Sequence, residues 1–130
     1  MSDIRHINEE YTEIGMWLIS NTPELEYIKN SNASIVFLSS EAKKTSGGKT
    51  IYGQCEKVAD KYRWGIPADF TITLFEKNIK GMDHEQIKIL LFHELLHVGI
   101  KGDKYSVVPH DLEDFKIIID KFGTDWSEVK

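Results

Sequence analysis

Two histidines four residues apart enclose a glutamate in the segment His93-Glu94-Leu95-Leu96-His97. On a helix, side chains four residues apart project from the same face, so both imidazoles can reach one metal ion. The glutamate between them sits where it can take a proton from a water that the ion activates. The spacing therefore predicts zinc chemistry, with His93 and His97 as ligands and Glu94 as the general base of a hydrolase.

A catalytic zinc ion usually has three protein ligands and one position open to water. His110 is the best candidate for the third ligand, because it follows His97 by 13 residues, across a loop that can reverse the chain direction. Glu113 and Asp114 lie one turn further along, so either could supply an oxygen ligand instead. A fourth protein ligand would close the site and make the metal structural rather than catalytic.

The metal-binding motif lies in a predicted helix over residues 84 to 98. Asp83 and Gln86 are spaced as a capping box at its start. Its apolar residues recur at helical intervals and predict a buried stripe, which consists of Ile87, Leu90, Leu91, Leu95 and Val98. Gly99 and Gly102 are expected to end this helix, and a last helix is predicted from Pro109 or His110 to Gly123.

The remaining elements are predicted from hydrophobic spacing and turn residues. The predictions are a helix over residues 4 to 19, a short helix from Thr22, strands at 35 to 38, 52 to 58 and 70 to 75, and a polar loop at 41 to 50. Strands that cluster between helices without strict alternation indicate an α+β fold with a small, mainly antiparallel sheet. A single domain, residues 1 to 130, is expected at this length.

Composition limits the classes of partner. The chain has 130 residues, a net charge of -5 and a pI of about 5.5, which argues against nucleic acid as the main partner. Cys55 is the only cysteine, so no intrachain disulfide is possible. The N-terminus lacks the apolar core of a signal peptide, and no apolar run is long enough to span a bilayer. We therefore expect a cytoplasmic protein without a membrane partner.

The motif and the segment after it resemble the putative phage metallopeptidase family. The likeness rests on His93 to His97 and on Val108-Pro109-His110-Asp111-Leu112-Glu113-Asp114-Phe115. Residues 69 to 74 and 121 to 126 are also similar to segments of that family. The resemblance covers roughly residues 34 to 126 and leaves the helices within residues 1 to 30 unmatched.

This resemblance implies a zincin-like peptidase fold, with zinc held by His93, His97 and His110, and with Glu94 as catalytic base. It also implies a peptide or protein substrate and a place in the cytoplasm of a phage-infected or prophage-carrying host cell. The strand at residues 70 to 75 would form the edge of the cleft, where an extended peptide adds as a further strand. Two alternatives stay open. One is a phage-derived binding or inhibitory protein with a structural or vestigial zinc site. The other is a regulatory protease that cleaves one phage repressor, or a SprT-like protease that acts on DNA-bound proteins.

Overall fold

The computed structural model describes residues 4–62, 64–65, 67–102, 104–109 and 121–122. Within these residues the chain forms three α-helices, two short 3₁₀ turns and eight strands, which confirms the predicted α+β class. In chain order the helices and strands are β1 (Arg5–Ile7), α1 (Glu9–Asn21), α2 (Glu26–Lys29), β2 (Ile35–Ser40), β3 (Thr45–Ser46), β4 (Lys49–Thr50), β5 (Gly53–Lys57), β6 (Phe70–Phe75), α3 (His84–Leu96), β7 (Val98–Lys101) and β8 (Lys104–Val107). The 3₁₀ turns cover Pro23–Leu25 and Asp60–Tyr62.

Four strands form the central sheet, in the order β1-β2-β6-β5. The outer pairings, β1 with β2 and β5 with β6, are antiparallel, whereas β2 and β6 run parallel. The sheet is therefore mixed, and the parallel pair in its centre was not foreseen. A parallel pair needs a long crossover, and here the described residues between β2 and β6 form β3, β4, β5 and a 3₁₀ turn rather than an α-helix.

The strand that precedes the motif helix lies inside the sheet and not at its edge. β6 is paired with β2 on one side and β5 on the other, and five of its six residues are buried. The expectation that residues 70 to 75 offer a free edge to a peptide is therefore wrong. Burial on both faces is typical of a strand in the sheet interior: Phe70, Ile72 and Leu74 are buried on one face, and Thr73 and Phe75 on the other. Among the described residues, β5 is the end strand next to β6.

The N-terminal segment also departs from its prediction. Residues 5 to 7 form strand β1, and the helix begins only at Glu9. Asn8 separates the two elements, because its side chain accepts a hydrogen bond from the backbone N–H of Tyr11 and so caps the helix. Ile7 is 71% exposed, so its place in the helical spacing was coincidental.

Helix α3 is fixed to the core and carries the motif. Its capping box is confirmed: Gln86 N–H donates to Asp83 Oδ1 at 2.8 Å, and Asp83 N–H donates to Gln86 Oε1 at 3.0 Å. Leu91 and Leu95 are completely buried. Full burial of a leucine side chain contributes roughly 1.5–3 kcal/mol, so these contacts hold the helix firmly on the sheet. His93 is less completely buried, with 12% of its side chain exposed.

Two small hairpins occupy segments that were predicted as loops. β3 and β4 pair within residues 41 to 50, and β7 and β8 pair directly after α3. The turn of the second hairpin contains Gly102 with a φ of +66°, a conformation that favours glycine. Gly99 lies within β7 and does not merely end the helix. In the part of the chain described, no helix combines the length and apolarity needed to cross a membrane.

Candidate metal centre

The three motif side chains converge at the C-terminal end of α3. One ligand atom each from His93, Glu94 and His97 can be chosen so that all three atoms lie within 4.8 Å of one another. The two imidazole rings are 5.2 Å apart between centroids and inclined by 71°. Two imidazole nitrogens bound tetrahedrally at zinc distances are separated by roughly 3.3 Å. The donor set and its spacing therefore fit a first-row divalent metal ion.

His97 is oriented by the hairpin that follows it. Its Nδ1 lies 2.6 Å from the carbonyl oxygen of Val108, and the backbone N–H of Val108 donates to the carbonyl of His97 at 2.6 Å. A histidine that donates through Nδ1 to a carbonyl leaves Nε2 unprotonated and available to a metal. Sequence reasoning missed this contact, because a backbone carbonyl has no signature in the sequence and the hairpin was predicted as a loop.

Glu94 is buried beside the two histidines. It is only 4% exposed, and its Oε2 lies 3.9 Å from Nε2 of His93. Carboxylates are rarely buried to this extent unless they are paired or take part in a functional site. The position places a carboxylate next to an imidazole nitrogen that could bind a metal ion.

Strand β5 packs next to Glu94. Two of its residues, Gly53 and Cys55, were not predicted as part of the site. A Cβ atom on Gly53 would lie 3.1 Å from Oε2 of Glu94. Cys55 is buried on the same strand, and burial, followed by the charges of Glu94 and Glu56, raises the pKa of its thiol. The thiol is therefore protonated at neutral pH and acts as a packing group rather than as a nucleophile.

Comparison with known proteins identifies the family. The family model described as "Putative phage metallopeptidase" matches residues 5–130. The chain belongs to this family. The match begins well before residue 34, so the N-terminal strand and helices of this metallopeptidase-family chain are part of the shared pattern. No curated protein and no solved structure shows significant similarity to the chain.

The third ligand predicted for this family member, His110, lies outside the described residues, as do the alternatives Glu113 and Asp114. The described chain reaches Pro109, directly after the carbonyl that orients His97. Of the predicted last helix, the structure describes only Lys121 and Phe122, which are helical. The assignment of His110 therefore stays a prediction.

A tyrosine from α2 fixes the junction between α3 and the hairpin. The hydroxyl of Tyr27 donates to the carbonyl of Val98 at 2.6 Å, and that of Leu95 lies 3.4 Å away. Although 38% of the residue is exposed, desolvation of the hydroxyl raises the pKa of Tyr27 to about 12, so the hydroxyl keeps its proton at neutral pH. The last turn of α3 is thereby tied to a second helix, close to His97.

We expect Tyr27→Phe to lower the free energy of unfolding by about 1 kcal/mol, because the Val98 carbonyl loses a hydrogen-bond donor. Urea denaturation of the metal-free protein measures this change. Tyr62→Phe removes the same atom from a side chain that is 52% exposed and should stay within about 0.5 kcal/mol of the wild type. Equal losses for the two variants would contradict a stabilising role for the Tyr27 hydroxyl.

Proposed function

We propose that the chain is a zinc-dependent peptidase with a zincin-like fold, in which His93, His97 and His110 hold the metal and Glu94 is the general base. The observation that carries this proposal is the convergence of His93, Glu94 and His97, whose ligand atoms all lie within 4.8 Å in a chain of a metallopeptidase family. The contact between His97 Nδ1 and the Val108 carbonyl supports it, because it leaves Nε2 of His97 available to the metal.

In the proposed reaction the metal and the Glu94 carboxylate have different roles. When bound, zinc supplies a cation that acidifies water and polarises the carbonyl of the scissile bond. Glu94 accepts a proton from the water while the water oxygen attacks the carbonyl carbon. Glu94 then gives that proton to the nitrogen of the leaving amine. One peptide bond and one water are thus converted into a carboxylic acid and an amine, and the acid passes its proton to the amine at neutral pH. The burial of Glu94 favours this transfer, since few bulk water molecules compete for its proton.

The substrate is proposed to lie in an extended conformation along β5. This strand is the end strand of the sheet among the described residues, and it begins at Gly53, whose backbone is close to the Glu94 carboxylate. A strand that pairs on one side only has backbone N–H and C=O groups that can bind an added peptide strand. Binding through backbone groups would place the scissile bond near the base with little dependence on substrate sequence.

A cleavage assay tests the proposal. Metal-free protein is loaded with one equivalent of Zn²⁺ and incubated with a peptide library, and new termini are identified by mass spectrometry. We expect cleavage that is lost with 1,10-phenanthroline and restored by excess Zn²⁺ but not by Mg²⁺, because imidazole ligands select zinc over magnesium. Cleavage that survives the chelator would contradict metal dependence.

The alternative of a binding protein with a structural zinc ion predicts a different result. In that case the protein would bind zinc tightly, leave the whole library intact, and show four protein ligands, including Glu113 or Asp114, in a crystal structure with the metal. Three protein ligands together with cleavage would support the peptidase.

A further inference from the structure

We infer that Gly53 is a positioning residue for Glu94: the absence of a side chain at the start of β5 leaves the space that the Glu94 carboxylate occupies. The catalytic part of this inference rests on the proposed function, whereas its geometric part concerns the folded protein alone. Gly53 belongs to the end strand, and Glu94 belongs to the third turn of α3, so the contact joins the sheet to the motif helix.

Backbone conformation does not explain why residue 53 is glycine. Among the described glycines, only Gly47, Gly48 and Gly102 have a positive φ. Gly53 pairs with Leu74 in a regular antiparallel ladder, a conformation that any residue can adopt. Residue 53 is therefore glycine because a side chain there would lack space, and not because the backbone needs a conformation that only glycine adopts.

The space at Gly53 is limited on two sides. A Cβ atom there would lie 2.9 Å from Cδ2 of Leu74, 3.1 Å from Oε2 of Glu94 and 3.2 Å from Cγ of Glu94. These separations are shorter than ordinary carbon contacts of about 3.5–4.0 Å, so the neighbours would have to move by several tenths of an ångström. Leu74 is completely buried and Glu94 is 4% exposed, so a Cβ at residue 53 must displace one or both of these side chains, and the inference is that Glu94 is among those that move.

A shift of Glu94 would directly change the arrangement of the reacting groups. The oxygen that faces Gly53 is the same Oε2 that lies 3.9 Å from Nε2 of His93. Pushing this oxygen away from β5 changes its distance to the metal ligand and to any water held between them. Because a misplacement of about 1 Å can lower a rate by roughly 100-fold, a shift of a few tenths of an ångström should cost about tenfold.

The test compares three glycine-to-alanine variants. Gly53→Ala is the test variant, and Gly65→Ala is its matched control, because a Cβ at Gly65 meets no atom within 4 Å. Gly15→Ala is a structural control, because its Cβ would clash with the Phe37 ring in the core. For each variant we measure the crystal structure of the metal-free protein, the Kd for Zn²⁺ by competition with a chelator, the Tm, and kcat and KM on a peptide that the wild type cleaves.

For Gly53→Ala we expect a displaced Glu94 carboxylate, kcat lower by about tenfold, and KM and the Zn²⁺ Kd within about twofold of the wild type, since the ligands and the cleft are retained. Gly15→Ala should lower the Tm without changing the kcat of the folded enzyme. An unmoved Glu94 carboxylate in the Gly53→Ala structure, with the strand or Leu74 shifted instead, would overturn the inference. So would an unchanged kcat. If the wild type cleaves no peptide, the proposed function fails, and the crystal structures alone still decide whether Gly53 positions Glu94.

Discussion

Replacing Glu94 with glutamine is expected to lower kcat by roughly 10²–10⁴-fold, the usual contribution of a general base. The amide has the same shape as the carboxylate and keeps the contact with β5, but it cannot accept a proton from the attacking water. Because His93 and His97 are unchanged, the Zn²⁺ Kd should stay within about tenfold of the wild-type value. Steady-state kinetics on an identified peptide, combined with chelator competition, measures both quantities.

Glu85→Gln is the matched control for this variant. Glu85 lies in the first turn of the same helix and is exposed, so its replacement makes the same change in charge far from the motif. We expect its kcat to equal that of the wild type within about twofold, since exposed charges distant from a site contribute little. Full turnover by Glu94→Gln would remove the general-base assignment, and a comparable loss in Glu85→Gln would point to a nonspecific effect of charge.

The motif helix could be predicted because its determinants are local. Asp83 and Gln86 cap its start, and the apolar spacing from Ile87 onward defines the buried face. Such signals act within one or two turns and are visible in a short window of sequence. The prediction extended the helix to residue 98, whereas it ends at Leu96, since Val98 pairs with Val107 across the hairpin.

The arrangement of the strands could not be predicted in the same way. The strands at β2, β5 and β6 were each foreseen, but their order depends on contacts between residues far apart in the chain. The Arg5 guanidinium, for example, donates to Glu56 at 2.6 Å and to Thr73 at 2.9 Å across the sheet, which helps to hold β1 in place. Nothing in the spacing of residues 4 to 7 indicates these partners. The expectation that the strand at residues 70 to 75 has a free edge was consequently wrong.

The candidate site shows the same division between local and distant determinants. His93, Glu94 and His97 were predicted together because one helix turn brings them together. The features that set their orientation come from other parts of the chain. The carbonyl of Val108 follows the hairpin, and Gly53, which has no side chain, lies in the end strand. Their roles depend on a backbone atom and on a missing side chain, so residue type alone gave no signal.

Replacing His97 with alanine is expected to weaken zinc binding by at least about 100-fold, because loss of an outer partner of a ligand already costs roughly 10–100-fold. The effect can be measured without a substrate. At a free zinc concentration of 100 times the wild-type Kd, binding stabilises the folded wild type by about 2.7 kcal/mol. A Kd raised by 100-fold reduces that stabilisation to about 0.4 kcal/mol under the same conditions. The gain in the free energy of unfolding on adding Zn²⁺, measured by denaturation, therefore differs clearly between the wild type and His97→Ala.

His84→Ala is the control for this measurement, because His84 is exposed in the first turn of α3, about two and a half turns from His93. It should keep the whole zinc-dependent stabilisation. A zinc response in His97→Ala equal to that of the wild type would mean that the metal binds elsewhere, and the role of the motif as a metal site would then fail. Loss of the response in His97→Ala alone would tie metal binding to the imidazole whose Nδ1 contacts the Val108 carbonyl.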